Sequence, residues 1–145
     1  MHGEEKRARS FRVATVLFAC VRNAGRSQIA AALFARAADP SKARALSAGT
    51  RPAERIHPEA VETLAELGID VTDARPRKLD ESLAREADLL VTMGCGEECP
   101  WVPGLEILDW EIEDPAGKDP ERVRAIRDEI ERRVRELVSE RGWEP

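Results

Sequence analysis

Apolar and polar positions alternate along the chain in two different rhythms. RVATVLFAC is a nearly continuous apolar and β-branched run, which predicts a buried strand from about Val13 to Ala19. The small-residue turn VRNAGRS follows, then QIAAALFARAA, where Ile29, Ala30, Leu33, Phe34 and Ala37 recur at helical spacing until Asp39-Pro40 stops them. ARALSAGT (Ala43–Thr50) predicts a second strand. His57-Pro58-Glu59 opens a helix with Ala60, Val61, Leu64 and Leu67 on one face and Gly68 as its C′ residue. A basic turn, Arg75–Lys78, precedes a short helix around Asp80–Glu86, and ADLLVTM (Ala87–Met93) and LEILD (Leu105–Asp109) predict two more strands. From Pro120 to about Arg141, the residues Val123, Ile126, Ile130, Val134, Leu137 and Val138 form one amphipathic stripe. The arginines and acids opposite it read as a solvated face with i,i+4 pairs.

Strands alternating with helices imply an α/β fold, a parallel sheet with helices on both faces, and ligands in such sheets bind at the carboxyl ends of strands. Residues 1–11 read as a polar, frayed tail and 12–145 as a single domain without repeat or linker. A chain of 145 residues has room for one real core. With aromatics at only 4% and no tyrosine, that core must come mainly from Val, Leu, Ile and Ala. The net charge of −5 argues against a nucleic-acid binder, which needs a basic face. No apolar stretch reaches the length of a membrane helix and no secretory leader is visible, so a cytoplasmic protein and no membrane partner are expected.

Three cysteines and two histidines, His2 and His57, argue against a Ser-His-Asp hydrolase or a His-rich metal site and direct attention to cysteine chemistry. Cys20 ends the first strand, and Cys95 and Cys99 follow the third. In Cys20-Val21-Arg22-Asn23-Ala24-Gly25-Arg26-Ser27, loop amides and the free amides of a first helical turn can converge on a tetrahedral oxyanion. Gly25 supplies backbone freedom, and Arg26 can hold two anion oxygens with its planar fork. Ser27 can donate to the Cys20 sulfur and start the helix, while Asn23 can brace the loop from inside. A cysteine in such positive surroundings favours the thiolate, a nucleophile aimed at phosphorus or arsenic. Taken singly, a strand-end Cys20 is more simply a buried core thiol. Strand, C-x5-R-S and helix together specify an anion site.

CVRNAGRSQIAAAL, SAGT (Ser47–Thr50), VTMGCGEECP (Val91–Pro100) and DWEIEDPAGK (Asp109–Lys118) resemble the low-molecular-weight tyrosine phosphatase superfamily, and its arsenate reductase branch best. The resemblance runs from about Val13 to Leu137. It implies a three-layer sandwich with a four-stranded parallel sheet, Cys20 as nucleophile, Arg26 as anion clamp and Asp114 of the Asp-Pro loop as general acid. It also implies arsenate as substrate and a disulfide relay. In that relay Cys95 attacks the sulfur of the Cys20–arsenate adduct, Cys99 then attacks Cys95, and an external dithiol such as thioredoxin restores the pair.

The implied enzyme has no bound cofactor or metal and is a monomer; a low-molecular-weight thiol is the alternative reductant. Cys95 and Cys99 lie closer together than in thioredoxin-coupled members, and Glu97 and Glu98 oppose thiolates nearby. A zinc half-site or incidental thiols are the other readings of the pair. Ala116 stands where tyrosine phosphatases often carry an aromatic residue, which favours a small inorganic substrate. A phosphatase acting on phosphoesters through Cys20, and a non-catalytic oxyanion or metal sensor, are the rival functions. Arg22, Arg75, Arg77 and Lys78 read as solvated or as field near the site, Trp101 as packing over the loop, and His57 as a helix-start residue.

Overall fold

The computed structural model describes residues 12–99 and 102–145, so the expected tail over 1–11 and Trp101 lie outside the described residues. The element order is β1 (Ala14–Cys20), α1 (Arg26–Ala37), β2 (Ala43–Gly49), α2 (Pro58–Ala65), α3 (Glu81–Glu86), β3 (Leu89–Thr92), a 3₁₀ turn (Gly96–Glu98), β4 (Glu106–Asp109) and α4 (Pro120–Arg141). The four strands form one parallel sheet in the order β2-β1-β3-β4. The chain therefore leaves β1 toward one side and returns on the other, and the gap between β1 and β3 at their carboxyl ends is the switch point where such sheets bind ligands.

Strand alternation divides the core in two. Val16, Phe18 and Cys20 face one cluster with Ile29, Leu33, Phe34 of α1 and Ile126, Ile130, Val134 of α4. Leu17 and Ala19 face a second, smaller cluster with Ala48, Leu79, Leu83 of α3, Leu90 and Cys95. Few aromatics are used, and they meet where they can: Phe18 sits 5.7 Å from Phe34 and 5.8 Å from Trp110, centroid to centroid. Among the described residues, no helix is long and apolar enough to cross a membrane.

Helix ends follow their local chemistry. Asp80 and Asp119 cap α3 and α4 by accepting from Leu83 N at 2.7 Å and Arg122 N at 2.9 Å. Gly68 and Gly142, both at positive φ, close α2 and α4. In each case the residue after the glycine donates back five positions, Ile69 to Leu64 and Trp143 to Val138. The regular part of α2 stops at Ala65 because its last turn tightens toward that glycine. Strand β1 ends at Cys20, which pairs with Gly49, while β3 is shorter at both ends than expected. Helix α1 begins at Arg26, capped by Gly25 with no side-chain bond, so Ser27 lies inside the first turn and does not start the helix.

Candidate active site

The segment Cys20–Gly25 leaves the sheet at the switch point with all its carbonyls turned to protein donors. Thr50 N donates to Cys20 O, Arg51 N to Val21 O, Ala53 N to Arg22 O, and His57 N to Ala24 O, at 2.8–3.2 Å. Gln28 Nε2 donates to Asn23 O at 3.1 Å, and Ile29 N to Gly25 O at 2.9 Å. With those acceptors taken, the amides of residues 21–27 donate to no protein atom among the described residues, and α1 adds the free N–H groups of its first turn. Amides gathered on one side of a loop at a helix N-terminus form an anion cradle.

Asn23 is the internal brace. It is fully buried with φ 50°, one of the few residue types that tolerate this conformation. Its Nδ2 donates to Ser27 Oγ at 2.7 Å, and its Oδ1 accepts from Arg77 N at 3.0 Å and Gln28 Nε2 at 3.2 Å. Ser27 Oγ lies 2.9 Å from Cys20 Sγ, so a chain of side chains runs from the basic turn to the sulfur. Cys20 is a free thiol, 3% exposed. At Gly25 a Cβ would stand 3.2 Å from Pro115 Cγ, so the missing side chain makes room for the Asp-Pro loop.

Arg26 crosses to that loop. Its Nη1 donates to Ile112 O at 3.1 Å, and its Nη2 lies 3.8 Å from Asp114 Oδ2. Asp114 is half-exposed and accepts from Ala116 N at 3.0 Å, while Glu59 holds the next turn through Gly117 N at 2.9 Å. The neighbouring Glu113 is bound away by Arg122, whose guanidinium holds that carboxyl below the ordinary range. Asp114 is thus the acid of this loop that faces Arg26.

Cys95 and Cys99 are joined as a disulfide, with Cα atoms 5.6 Å apart across the 3₁₀ turn. Cys95 is buried in the cluster on the opposite sheet face from Cys20, and Cys99 is half-buried against the same cluster. Two contacts tie this disulfide loop to the anion loop: Gly94 against the Arg26 guanidinium, and Glu98 Oε1 at 2.8 Å from Arg51 Nη2. Among the described residues, no group of three or more His, Cys, Asp and Glu side chains could hold a metal ion.

The structure thus brings Cys20, Asn23, Arg26, Ser27 and Asp114 together, with Cys95 and Cys99 one loop away. Arg22 is exposed at the rim. Arg77 and Lys78 turn out to be braces, Arg77 through Asn23 and Ser47 O at 3.0 Å, Lys78 through Thr50 O. Sequence reasoning gave no part to Gly49, Gly94 and Arg51 and took Glu98 only as a charge opposing thiolates, because their contacts join segments far apart in the chain.

The sequence profile of the low molecular weight phosphotyrosine protein phosphatase family matches residues 15–142. A thioredoxin-dependent arsenate reductase of Corynebacterium glutamicum superimposes with a TM-score of 0.77 at 41% identity, over 95% of this chain and 70% of that one. A glutaredoxin arsenate reductase of Synechocystis is 33% identical over 127 residues, 86% of this chain and 95% of its own. An arginine phosphatase of Geobacillus stearothermophilus gives a TM-score of 0.79 at 28% identity, over 89% and 93% of the two chains. With its parallel sheet, its strand-loop-helix anion cradle and a match along nearly its whole length, the chain belongs to the low molecular weight phosphotyrosine protein phosphatase family.

Proposed function

We propose that the protein reduces arsenate to arsenite, as part of arsenic detoxification in the cytoplasm. The observation that carries this reading is a second thiol pair, Cys95–Cys99, on a loop that touches the anion clamp Arg26 through Gly94. Hydrolysis of a phosphoester by Cys20 has no use for such a pair. The similarity to arsenate reductases that use thioredoxin or glutaredoxin supports the same reading.

In this mechanism the amides of Val21, Arg22, Asn23, Ala24, Gly25, Arg26 and Ser27, with the Arg26 guanidinium, hold three arsenate oxygens. The Cys20 thiolate attacks arsenic, and Asp114 protonates the departing oxygen, which leaves as water. The S–As bond formed is still arsenic(V). Cys95, as thiolate, then attacks Cys20 Sγ. A Cys20–Cys95 disulfide forms and the S–As bond breaks with its electron pair on arsenic, which leaves as arsenite. Cys99 attacks Cys95 Sγ, releasing the Cys20 thiolate and leaving the Cys95–Cys99 disulfide. Each is an ordinary exchange step at sulfur. A dithiol protein of the thioredoxin or glutaredoxin type reduces that bond and closes the cycle. Phosphorus cannot follow this path, because a phosphoryl group does not accept the two electrons.

The test is a single turnover. Fully reduced protein is mixed with arsenate without reductant, beside a phosphate control, and its disulfides are mapped by mass spectrometry. An arsenate-dependent Cys95–Cys99 bond with Cys20 free is expected. Three thiols still reduced after arsenate, with phosphoester turnover intact in a Cys95→Ser, Cys99→Ser variant, would establish the phosphatase instead.

A further inference from the structure

Arg51 has one end in each half of the site. Its backbone N–H donates to Val21 O at 2.8 Å, and it sits between Thr50, which donates to Cys20 O at 3.2 Å, and Ala53, which donates to Arg22 O at 2.9 Å. Its backbone is therefore part of the frame that holds the anion loop. Its side chain reaches the other way and meets the Glu98 carboxylate at 2.8 Å.

Glu98 belongs to the turn that joins the two cysteines. Its N–H donates to Cys95 O at 3.0 Å, and Cys99 N donates to Gly96 O at 3.3 Å, so the carboxylate is placed by the same tight turn that brings Cys95 and Cys99 together. The turn is flanked and interrupted by Gly94 and Gly96, both at positive φ. Such a segment has a large conformational freedom to lose when the disulfide closes. An ion pair anchored on a rigid frame supplies a counterweight.

We propose that Arg51 is a positioning residue of the relay: through Glu98 it fastens the disulfide loop in its closed, oxidised form against the frame of the anion loop. This rests on the reductase reading above, and it assigns the pair a task in that cycle. Favouring Cys95–Cys99 over the open dithiol draws the disulfide away from Cys20 in the last exchange step, where Cys99 attacks Cys95 and the Cys20 thiolate leaves. No electrons beyond those of the relay are involved.

Both partners are exposed, 69% and 42%, so the effect is that of a surface pair. Its size is about two- to fivefold in an equilibrium constant, and it is screened by salt. The experiment equilibrates the protein in dithiothreitol redox buffers and quantifies the Cys95–Cys99 disulfide by mass spectrometry. Arg51→Ala and Glu98→Gln are each expected to shift the equilibrium toward the dithiol by about two- to fivefold, with the double variant shifted no further than either single one. Arg51→Lys should recover part of the shift, and about 0.5 M salt should erase most of it.

Hydrolysis of p-nitrophenyl phosphate, which needs only the anion loop, is measured on Glu98→Gln, whose backbone takes no part in that loop's frame, and should stay within about twofold of the parent. An unshifted equilibrium in Arg51→Ala would overturn the proposal. So would full additivity of the two substitutions, or a loss of hydrolysis proportional to the shift, which would place the effect in the anion loop. The redox equilibrium contains no arsenate. Failure of the parent to oxidise with arsenate therefore counts against the reductase reading alone, and the Arg51 result stands apart from it.

Discussion

The guanidinium of Arg26 rests on the backbone of Gly94: a Cβ at residue 94 would stand 2.6 Å from Nη1 and 3.2 Å from Cζ. Gly94 has φ +96°, a conformation that side chains rarely adopt. Arg26, the anion clamp of the proposed mechanism, is therefore oriented by the residue just before Cys95. Gly94→Ala should push Arg26 off its contact with Ile112 O. Hydrogen bonds from a charged group are worth about 1.5–3 kcal/mol. Accordingly kcat/KM for p-nitrophenyl phosphate and for arsenate should fall about 10- to 100-fold, mainly through KM, as steady-state kinetics will show.

Gly49 is a second close approach, without any unusual φ. A Cβ there would lie 2.6 Å from Val21 O and 2.8 Å from Asn23 N, and both are backbone atoms with no freedom to swing aside. Overpacking of this kind costs about 1–3 kcal/mol. Gly49→Ala should lower stability by that amount in urea denaturation and weaken phosphate binding measured by calorimetry, because the displaced atoms belong to the anion loop.

Ser27 joins Asn23 to Cys20, the nucleophile of the proposed mechanism. Ser27→Ala removes the 2.9 Å contact to Cys20 Sγ and leaves the buried Asn23 Nδ2 without its acceptor. An unsatisfied buried donor costs about 1–3 kcal/mol of stability. Phosphoester hydrolysis should lose about tenfold or more in kcat with little change in KM, since the anion-binding amides remain. Thermal denaturation and kinetics on the one variant check both parts.

Asp114→Asn keeps the turn to Ala116 N and, under the proposed mechanism, loses the proton donor. General acid catalysis typically contributes about 10²–10⁴ in rate. The loss should approach that range for phosphoesters with poor leaving groups and be much smaller for p-nitrophenol, which leaves unaided. Equal losses for both would show that Asp114 acts only in binding.

Acid stability has a named contributor. Arg124 and Arg127 hold the Glu66 carboxyl below its ordinary range, the Arg124 hydrogen bond being the larger cause. A depressed carboxyl stabilises the fold above the unfolded value of about 4.3 and loses that contribution as pH falls through the folded value. Glu66→Gln should therefore lower Tm at pH 7, and the gap to the parent should close below about pH 4. Buried Arg127 keeps Thr63 O at 3.1 Å in the variant, so the helices it joins, α2 and α4, stay packed. Scanning calorimetry across pH decides it.

Elements with local punctuation were legible in the sequence. Asp119-Pro120 and Gly142 mark both ends of α4, and the expected span matches the observed one, Pro120–Arg141. That Cys20, Asn23 and Ser27 meet in one loop could also be read, because they lie within eight consecutive residues. Register was less legible: that Cys20 pairs with Gly49 follows from no local signal in either strand. Gly25, Gly49 and Gly94 look alike in a sequence, yet what each makes room for lies far along the chain: Pro115, the anion loop and Arg26. The same holds for Arg51 and Glu98, two ordinary surface charges until folding places them 2.8 Å apart.

The carbonyls of Cys20 to Gly25 have a consequence for selectivity. Since every one already has a protein donor, the cradle is held in shape before any guest arrives. A ring of N–H groups measures charge and tetrahedral shape, attributes that arsenate and phosphate share. Under the proposed function, the two anions then compete for entry on nearly equal terms, and the choice between them is made after binding, by whether the central atom accepts two electrons. Phosphate should accordingly behave as a competitive inhibitor of arsenate reduction, and the concentration ratio of the two anions, more than any difference in fit, sets how fast arsenic is cleared.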